Sequence, residues 1–130
     1  MHEHLVQLRW SDPDTYGHVN HVRALSLLED ARLTMATDAP GVVRQPDVIL
    51  ARLEVDYLRQ LYYRPGERLC VRSWVTRVGT KSFTMRQELL QDEQAAIRVD
   101  AVLVLFDITT DSSRPMTDEE RAYWTGFVVG

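Results

Sequence analysis

The chain has 130 residues, a formal net charge of −4 and one cysteine, Cys70, which excludes an intrachain disulfide and suits a reducing compartment. This length favours a single domain over residues 1–130, large enough to bury an ordinary core without metals or disulfides. The acidic balance argues against general nucleic-acid binding. The apolar runs are too short to span a bilayer, and the first residues do not resemble a secretion signal. We therefore expect a cytoplasmic protein.

The hydrophobic pattern predicts a short strand followed by a long helix. Apolar and polar residues alternate over residues 5–10, which is the period of a strand. Proline, glycine and two aspartates over residues 11–17 indicate a loop. Apolar residues then recur at three- and four-residue steps over residues 21–36, and Asn20 is placed to cap that helix.

Four further strands and a short helix are predicted in the rest of the chain. The strands have the composition or alternation of β-structure over residues 51–57, 69–78, 83–89 and 97–106. Gly79-Thr80 and Asp92-Glu93 indicate hairpin turns, and Thr-Asp-Glu-Glu over residues 117–120 is typical of a capping box. Consecutive strands with short turns imply an antiparallel sheet, and one apolar helix across its concave face gives an α+β layer.

The segment over residues 9–20 carries the residue types of a reactive site. The start of a helix offers unpaired N–H groups and partial positive charge, which stabilise an oxygen that becomes negative during a reaction. A carboxylate just before it, at Asp12 or Asp14, can attack a carbonyl or activate water, and Gly17 lets the backbone approach a ligand. The same residue types occur in ordinary loops, where Asp12 or Asn20 would only cap the helix.

Three motifs follow one another at the start of the chain: Asp12-Pro13-Asp14, Gly17-His18-Val19-Asn20 and Glu29-Asp30-Ala31-Arg32. In this order they resemble the signature of the 4-hydroxybenzoyl-CoA thioesterase-like hotdog family. The similarity continues over residues 79–83, residues 102–107 and Arg114-Pro115, so it covers nearly the whole chain.

The resemblance implies a hotdog fold, a five-stranded antiparallel sheet wrapped around one long central helix, with a short C-terminal helix. It also implies homodimers or homotetramers with active sites between subunits. The implied activity is hydrolysis of an acyl-CoA thioester, or of an acyl carrier protein thioester. Coenzyme A is then part of the substrate, and we expect neither a separate cofactor nor a metal.

The resemblance also assigns roles to individual residues. Asp14 is the catalytic carboxylate, acting as general base or nucleophile, and Glu29 on the helix is the fallback. Asp12 and Asn20 support the loop. Backbone N–H groups that contact the thioester oxygen come from Gly17, His18 and Val19. Thr80 and Ser82 are expected to line the site from the neighbouring subunit. Lys81, the one lysine of the chain, lies in the same turn, where its charge could bind the coenzyme A phosphates; the alternative is an exposed lysine that only faces water.

Three other functions are alternatives to thioester hydrolysis. A hydratase or dehydratase of the same fold would use a histidine with an acidic partner, and an acyl-CoA-binding module would lack the carboxylate. An unrelated α+β interaction domain would lack the pocket. We expect Cys70 to be a buried structural thiol and His2 and His4 to be disordered. An acyl tunnel, or else core or interface, is expected from Leu25, Leu28, Tyr57, Leu61, Tyr62 and Tyr63.

Overall fold

The chain forms the predicted order of elements with one short strand added. The computed structural model describes residues 1–8, 20–41 and 47–129. The elements are β1 (His2–Gln7), α1 (His21–Thr37), β2 (Val48–Tyr57), β3 (Arg68–Val78), β4 (Ser82–Gln91), β5 (Gln94–Asp107), β6 (Ser112–Ser113) and α2 (Asp118–Thr125). The helix α1 therefore matches its prediction to within one residue at its end.

The sheet is antiparallel, with strand order β1-β3-β4-β5-β2, and β6 adds a two-residue pairing to β5. Both β1 and β2 are edge strands, because each pairs with one neighbour only within the described part of the chain. The β4–β5 hairpin has a two-residue turn in which Asp92 and Glu93 both adopt positive φ, 53° and 63°. This confirms the turn predicted at Asp92-Glu93.

The helix α1 packs on the sheet through two apolar clusters that lie along its length. Leu28 belongs to the first cluster, with Val71 and Leu89, and Met35 belongs to the second, with Val75 and Met85. All of these side chains are fully buried. Since β3 and β4 contribute to both clusters, the helix packs along these two strands.

A polar layer, formed by Arg32, Ser73 and Gln87, separates the two clusters. Its three residues lie between the cluster residues on α1, β3 and β4, and they are 5%, 0% and 0% exposed. Arg32 Nη1 donates to Gln87 Oε1 (2.9 Å), and Gln87 Nε2 donates to Ser73 Oγ (3.0 Å) and to the carbonyl oxygen of Leu28 (3.2 Å). The side-chain amide of Gln87 thus links both strands to the helix.

The short helix α2 packs against the second cluster. It begins with the predicted capping box, in which the side chains of Thr117 and Glu120 each accept a hydrogen bond from the other residue's backbone N–H. Trp124 stacks on Phe83 with ring centroids 4.0 Å apart. Tyr123 O–H donates to the carbonyl oxygen of Met35 at 2.7 Å.

Two predictions about single residues change. His2 and His4 are not disordered but lie on β1, opposite Ser73 and Val71 of β3, because backbone pairing with β3 extends beyond the apolar alternation. Cys70 is half-buried rather than fully buried, and desolvation raises the pKa of its thiol. None of the described helices is long and apolar enough to cross a membrane.

Candidate active site

The predicted reactive loop and the start of α1 are the centre of the candidate site. Asp12, Asp14, Gly17, His18 and Val19 lie outside the described residues, so their roles stay predictions.

Asn20 begins the described part of the candidate site. Its backbone is extended (φ −60°, ψ 135°), and its Oδ1 accepts a hydrogen bond from the Val22 N–H at 2.9 Å. The predicted cap is confirmed, and it fixes where the helix begins.

The start of α1 lies beside the end of β2. His21, the first helical residue, has its Nδ1 3.4 Å from the hydroxyl oxygen of Tyr57, the last residue of β2. The two rings meet edge to face, with centroids 6.2 Å apart. Sequence patterns do not reveal this pair, because its members are 36 residues apart.

A cavity of about 590 Å³ opens at this junction. Its apolar floor is formed by Leu61 and Ile97, each 3% exposed. His21 and Tyr57 line it, together with Leu58, Arg59 and Gln60. A volume of this size is ordinary for a small-molecule site, which is usually apolar with a few polar groups.

The predicted tunnel residues therefore divide between core and cavity. Leu28 is fully buried in the first apolar cluster, so it is a core residue. Leu61 belongs to the same cluster and also lines the cavity. Tyr57 is 54% exposed and lines the cavity as well.

The hairpin that carries Thr80, Lys81 and Ser82 lies at the other end of the molecule. Two backbone hydrogen bonds hold it in place, both at 2.9 Å. The Met116 N–H donates to the carbonyl oxygen of Thr80, and the Leu105 N–H donates to the carbonyl oxygen of Lys81. These partners belong to the second apolar cluster, next to the end of α1. The 17 residues of α1 span about 25 Å, so within one chain the hairpin does not meet the start of the helix.

Three arginines predicted from the sequence as possible partners of coenzyme A phosphates, Arg64, Arg68 and Arg77, differ in their surroundings. Arg64 donates two hydrogen bonds to the Asp92 carboxylate, at 2.8 and 2.9 Å, and this pairing raises the pKa of Arg64 and lowers that of Asp92. Arg68 and Arg77 are exposed on β3. Arg64 is therefore already committed to an internal ion pair.

The fallback carboxylate, Glu29, is exposed on α1. It lines a separate cavity of about 210 Å³, whose wall also includes the buried Arg32. Arg32 is recognisable in the sequence only as part of a motif, which does not predict that its side chain is buried. Within the described ranges no three His, Cys, Asp or Glu side chains are grouped to hold a metal ion.

Comparisons with known proteins agree on one family. The model of the thioesterase-like superfamily matches residues 8–124. A predicted thioesterase from Bacillus stearothermophilus is 25% identical, with a TM-score of 0.89 over 98% of this chain and 96% of that one. A thioesterase from Thermus thermophilus, solved in complex with coenzyme A and Zn, is 27% identical, with a TM-score of 0.80 over 93% and 94%.

One curated relative also matches. The uncharacterized protein YsmA of Bacillus subtilis (strain 168) is 27% identical over 122 residues, which are 89% of this chain and 80% of that protein. Together with the similarity of the solved structures, the observed sheet and helices confirm the predicted hotdog fold.

Proposed function

Since this chain belongs to the thioesterase-like superfamily, we propose that it hydrolyses an acyl-CoA thioester to a free acid and coenzyme A. The observation that carries the proposal is the family match over residues 8–124, and the cavity beside the capped start of α1 adds to it. The coenzyme A complex of the Thermus thermophilus thioesterase supports a coenzyme A thioester as substrate. An acyl carrier protein thioester is the alternative.

The proposed mechanism needs only a carboxylate and backbone N–H groups. Asp14 acts as general base towards water or as nucleophile towards the carbonyl carbon. The carbonyl oxygen gains negative charge, which the N–H groups of Gly17, His18 and Val19 stabilise at the positive end of α1. The carbon–sulfur bond then breaks, and the coenzyme A sulfur takes up a proton. On the nucleophilic route this leaves an acyl anhydride on Asp14, which water hydrolyses to the free acid and the restored carboxylate. Asp12 and Asn20 hold the loop and the helix start in place.

Asp14→Asn tests the proposal. It keeps the side-chain shape but removes the charge, so hydrolysis should fall about 10²–10⁴-fold while the fold survives. The assay is a screen over short, medium, long and aromatic acyl-CoAs, with circular dichroism to check folding. Asp12→Asn is the matched control and should lose less. A folded Asp14→Asn protein with near-normal turnover would contradict the assignment.

We also propose that the working unit is a homodimer or a homotetramer. Two observations support this. The hairpin residues expected at the site lie near the end of α1 and not near its start in the same chain, and the helix is about 25 Å long. The edge strand β2 also exposes apolar side chains, with Ile49 45% and Leu50 41% exposed, and an edge of this kind is a ready site for pairing with a second chain.

A further inference from the structure

The side-chain amide of Gln91 holds the chain segment that joins β2 to β3. Gln91 is the last residue of β4 and is 6% exposed. Its Oε1 accepts the Tyr62 N–H and its Nε2 donates to the Tyr62 carbonyl oxygen, both at 2.9 Å. The same Nε2 donates to the Glu67 carboxylate at 3.3 Å. One buried side chain therefore binds both backbone groups of Tyr62, as a paired strand would.

The segment that Gln91 holds forms part of the cavity beside the start of α1. Residues 58–61 line this cavity, and Leu61 also belongs to the first apolar cluster. The segment lies between β2 and β3, outside the strand ladders. Its start is held by Ala96, whose carbonyl oxygen accepts the Leu58 N–H at 2.8 Å. Loops move more readily than strands unless they are anchored, so the position of this cavity wall depends on its anchors.

Two further side-chain contacts join the same segment to the β4–β5 hairpin, and both lie at the surface. Arg59 Nη1 donates to Gln94 Oε1. Arg64 donates to both carboxylate oxygens of Asp92, at 2.8 and 2.9 Å. All four residues are exposed, and solvent and salt weaken such contacts. The Gln91 contacts are buried, where a lost partner leaves a backbone group unpaired, so we expect them to dominate.

We propose that Gln91 is a positioning residue for thioester hydrolysis, which fixes the wall at residues 58–61 and thereby sets the acyl groups that the cavity accepts. The inference rests on the proposed function, because it places the acyl group in this cavity. The described lining of the cavity does not include Gln91, so Gln91 acts on the substrate through Leu61 and its neighbours. A small change in the wall is enough, since one methylene group in an apolar pocket changes kcat/KM by about 10–200-fold.

Gln91→Met tests this role, because methionine matches the length of the side chain but cannot bind both backbone groups. The measurement is the ratio of kcat/KM between the best and the poorest substrate in a series of short, medium and long acyl-CoAs. This ratio should fall at least about fivefold, since a wall that is no longer fixed admits poor substrates. Both substrates are assayed on one sample, so the ratio does not depend on the folded fraction and a merely structural role would leave it unchanged.

Tyr123→Phe is the matched control for a lost hydrogen bond. It removes the bond from the Tyr123 O–H to the Met35 carbonyl oxygen, which lies towards the other end of α1. This variant should keep the ratio of the unchanged protein, although it loses stability.

Amide hydrogen exchange tests the contact itself in the absence of substrate. In Gln91→Met the Tyr62 amide should exchange at least about tenfold faster than in the unchanged protein. The Leu58 amide, which Ala96 holds, should change less. Gln91→Asn keeps the amide but is one methylene group too short to reach both backbone groups. It should show the same two changes, and it decides the question if Gln91→Met does not fold.

The possible outcomes separate this inference from the proposed function. An unchanged substrate ratio in a folded Gln91 variant overturns the inference, and so does an equal change in Tyr123→Phe or an unaltered Tyr62 amide. A protein that hydrolyses acyl-CoAs without discriminating between them overturns the inference alone. A protein that hydrolyses none of them overturns the proposed function, and the inference with it.

Discussion

Glu120 is the only carboxylate among the described residues that is buried, at 7% exposed. It accepts two hydrogen bonds from Arg114, at 2.7 and 2.8 Å, and one from the Thr117 N–H at 2.9 Å. The Arg114 guanidinium holds the pKa of Glu120 below its usual range. Glu120→Gln should therefore lower the free energy of unfolding by about 1–2 kcal/mol near neutral pH. Urea unfolding measures this loss.

The same pair gives a pH dependence with a definite sign. Because the pKa of Glu120 is lower in the folded chain, the stabilisation is present above about pH 4.3 and is lost as the pH falls through the folded-state value. The unchanged protein and Glu120→Gln should converge in stability at low pH. Glu119→Gln, at an exposed residue of the same turn, should change stability by less than about 0.5 kcal/mol. An equal loss in both variants would rule out the ion pair as the cause.

Residue-scale features that depend on close neighbours could be predicted from the sequence. Asn20 and Thr117 cap helices through N–H groups two and three residues away, and short-range rules describe such contacts. The bond between Arg32 and Gln87 joins residues 55 apart. Their contact depends on how the helix lies on the sheet, which hydrophobic periodicity does not specify.

At the scale of elements, the β4–β5 hairpin has a correctable weakness. Asp92 and Glu93 both adopt left-handed backbone conformations, which are unfavourable for residues with a Cβ atom, and the preferred pair for such a turn is Asp-Gly or Asn-Gly. Glu93→Gly should raise the free energy of unfolding by about 0.5 kcal/mol. Glu93→Ala keeps the Cβ atom and should give no gain, so thermal unfolding of the two variants side by side checks the explanation. If alanine stabilised as much as glycine, removal of the charge would be the better explanation.

Hydrophobic periodicity does not predict every strand boundary. The strand predicted over residues 5–10 begins at His2, because Glu3 and His4 pair with β3 through their backbone although neither is apolar. Likewise Ser112–Ser113 pairs with the end of β5 without any hydrophobic alternation. Amphipathic patterns identify elements that bury one face, and these two segments are held by backbone hydrogen bonds instead.

At the scale of the whole molecule, the separation of the hairpin from the start of α1 predicts complementation between subunits. If each site combines Asp14 of one chain with Lys81 of another, a mixed dimer of Asp14→Asn and Lys81→Glu chains contains one site with both changes and one with neither. Hydrolysis at low substrate concentration should therefore rise when the two variants are unfolded and refolded together. Refolding each variant alone is the control. No gain on mixing, in samples that sedimentation shows to be mixed dimers, would contradict a shared site.

The sequence predicts a set of residues for the candidate site but does not predict their arrangement. The motifs around Asp14 and Lys81 each indicated a functional segment. Asn20 and the hairpin lie towards opposite ends of α1, because β3 runs from the first apolar cluster, at Val71, through the second, at Val75, to the hairpin. Turn and strand signals in the sequence do not specify at which end of the molecule a turn lies.

The polar layer has a consequence for how the helix is aligned on the sheet. Apolar contacts alone would tolerate a helix that slides by one turn, about 5.4 Å, because leucine and methionine pack in many ways. Such a slide would separate Arg32 from Gln87 and leave a buried guanidinium without its acceptor, which is strongly destabilising. We therefore expect the layer to select one axial position for α1. That selection also sets the distance of Asn20 from the end of β2.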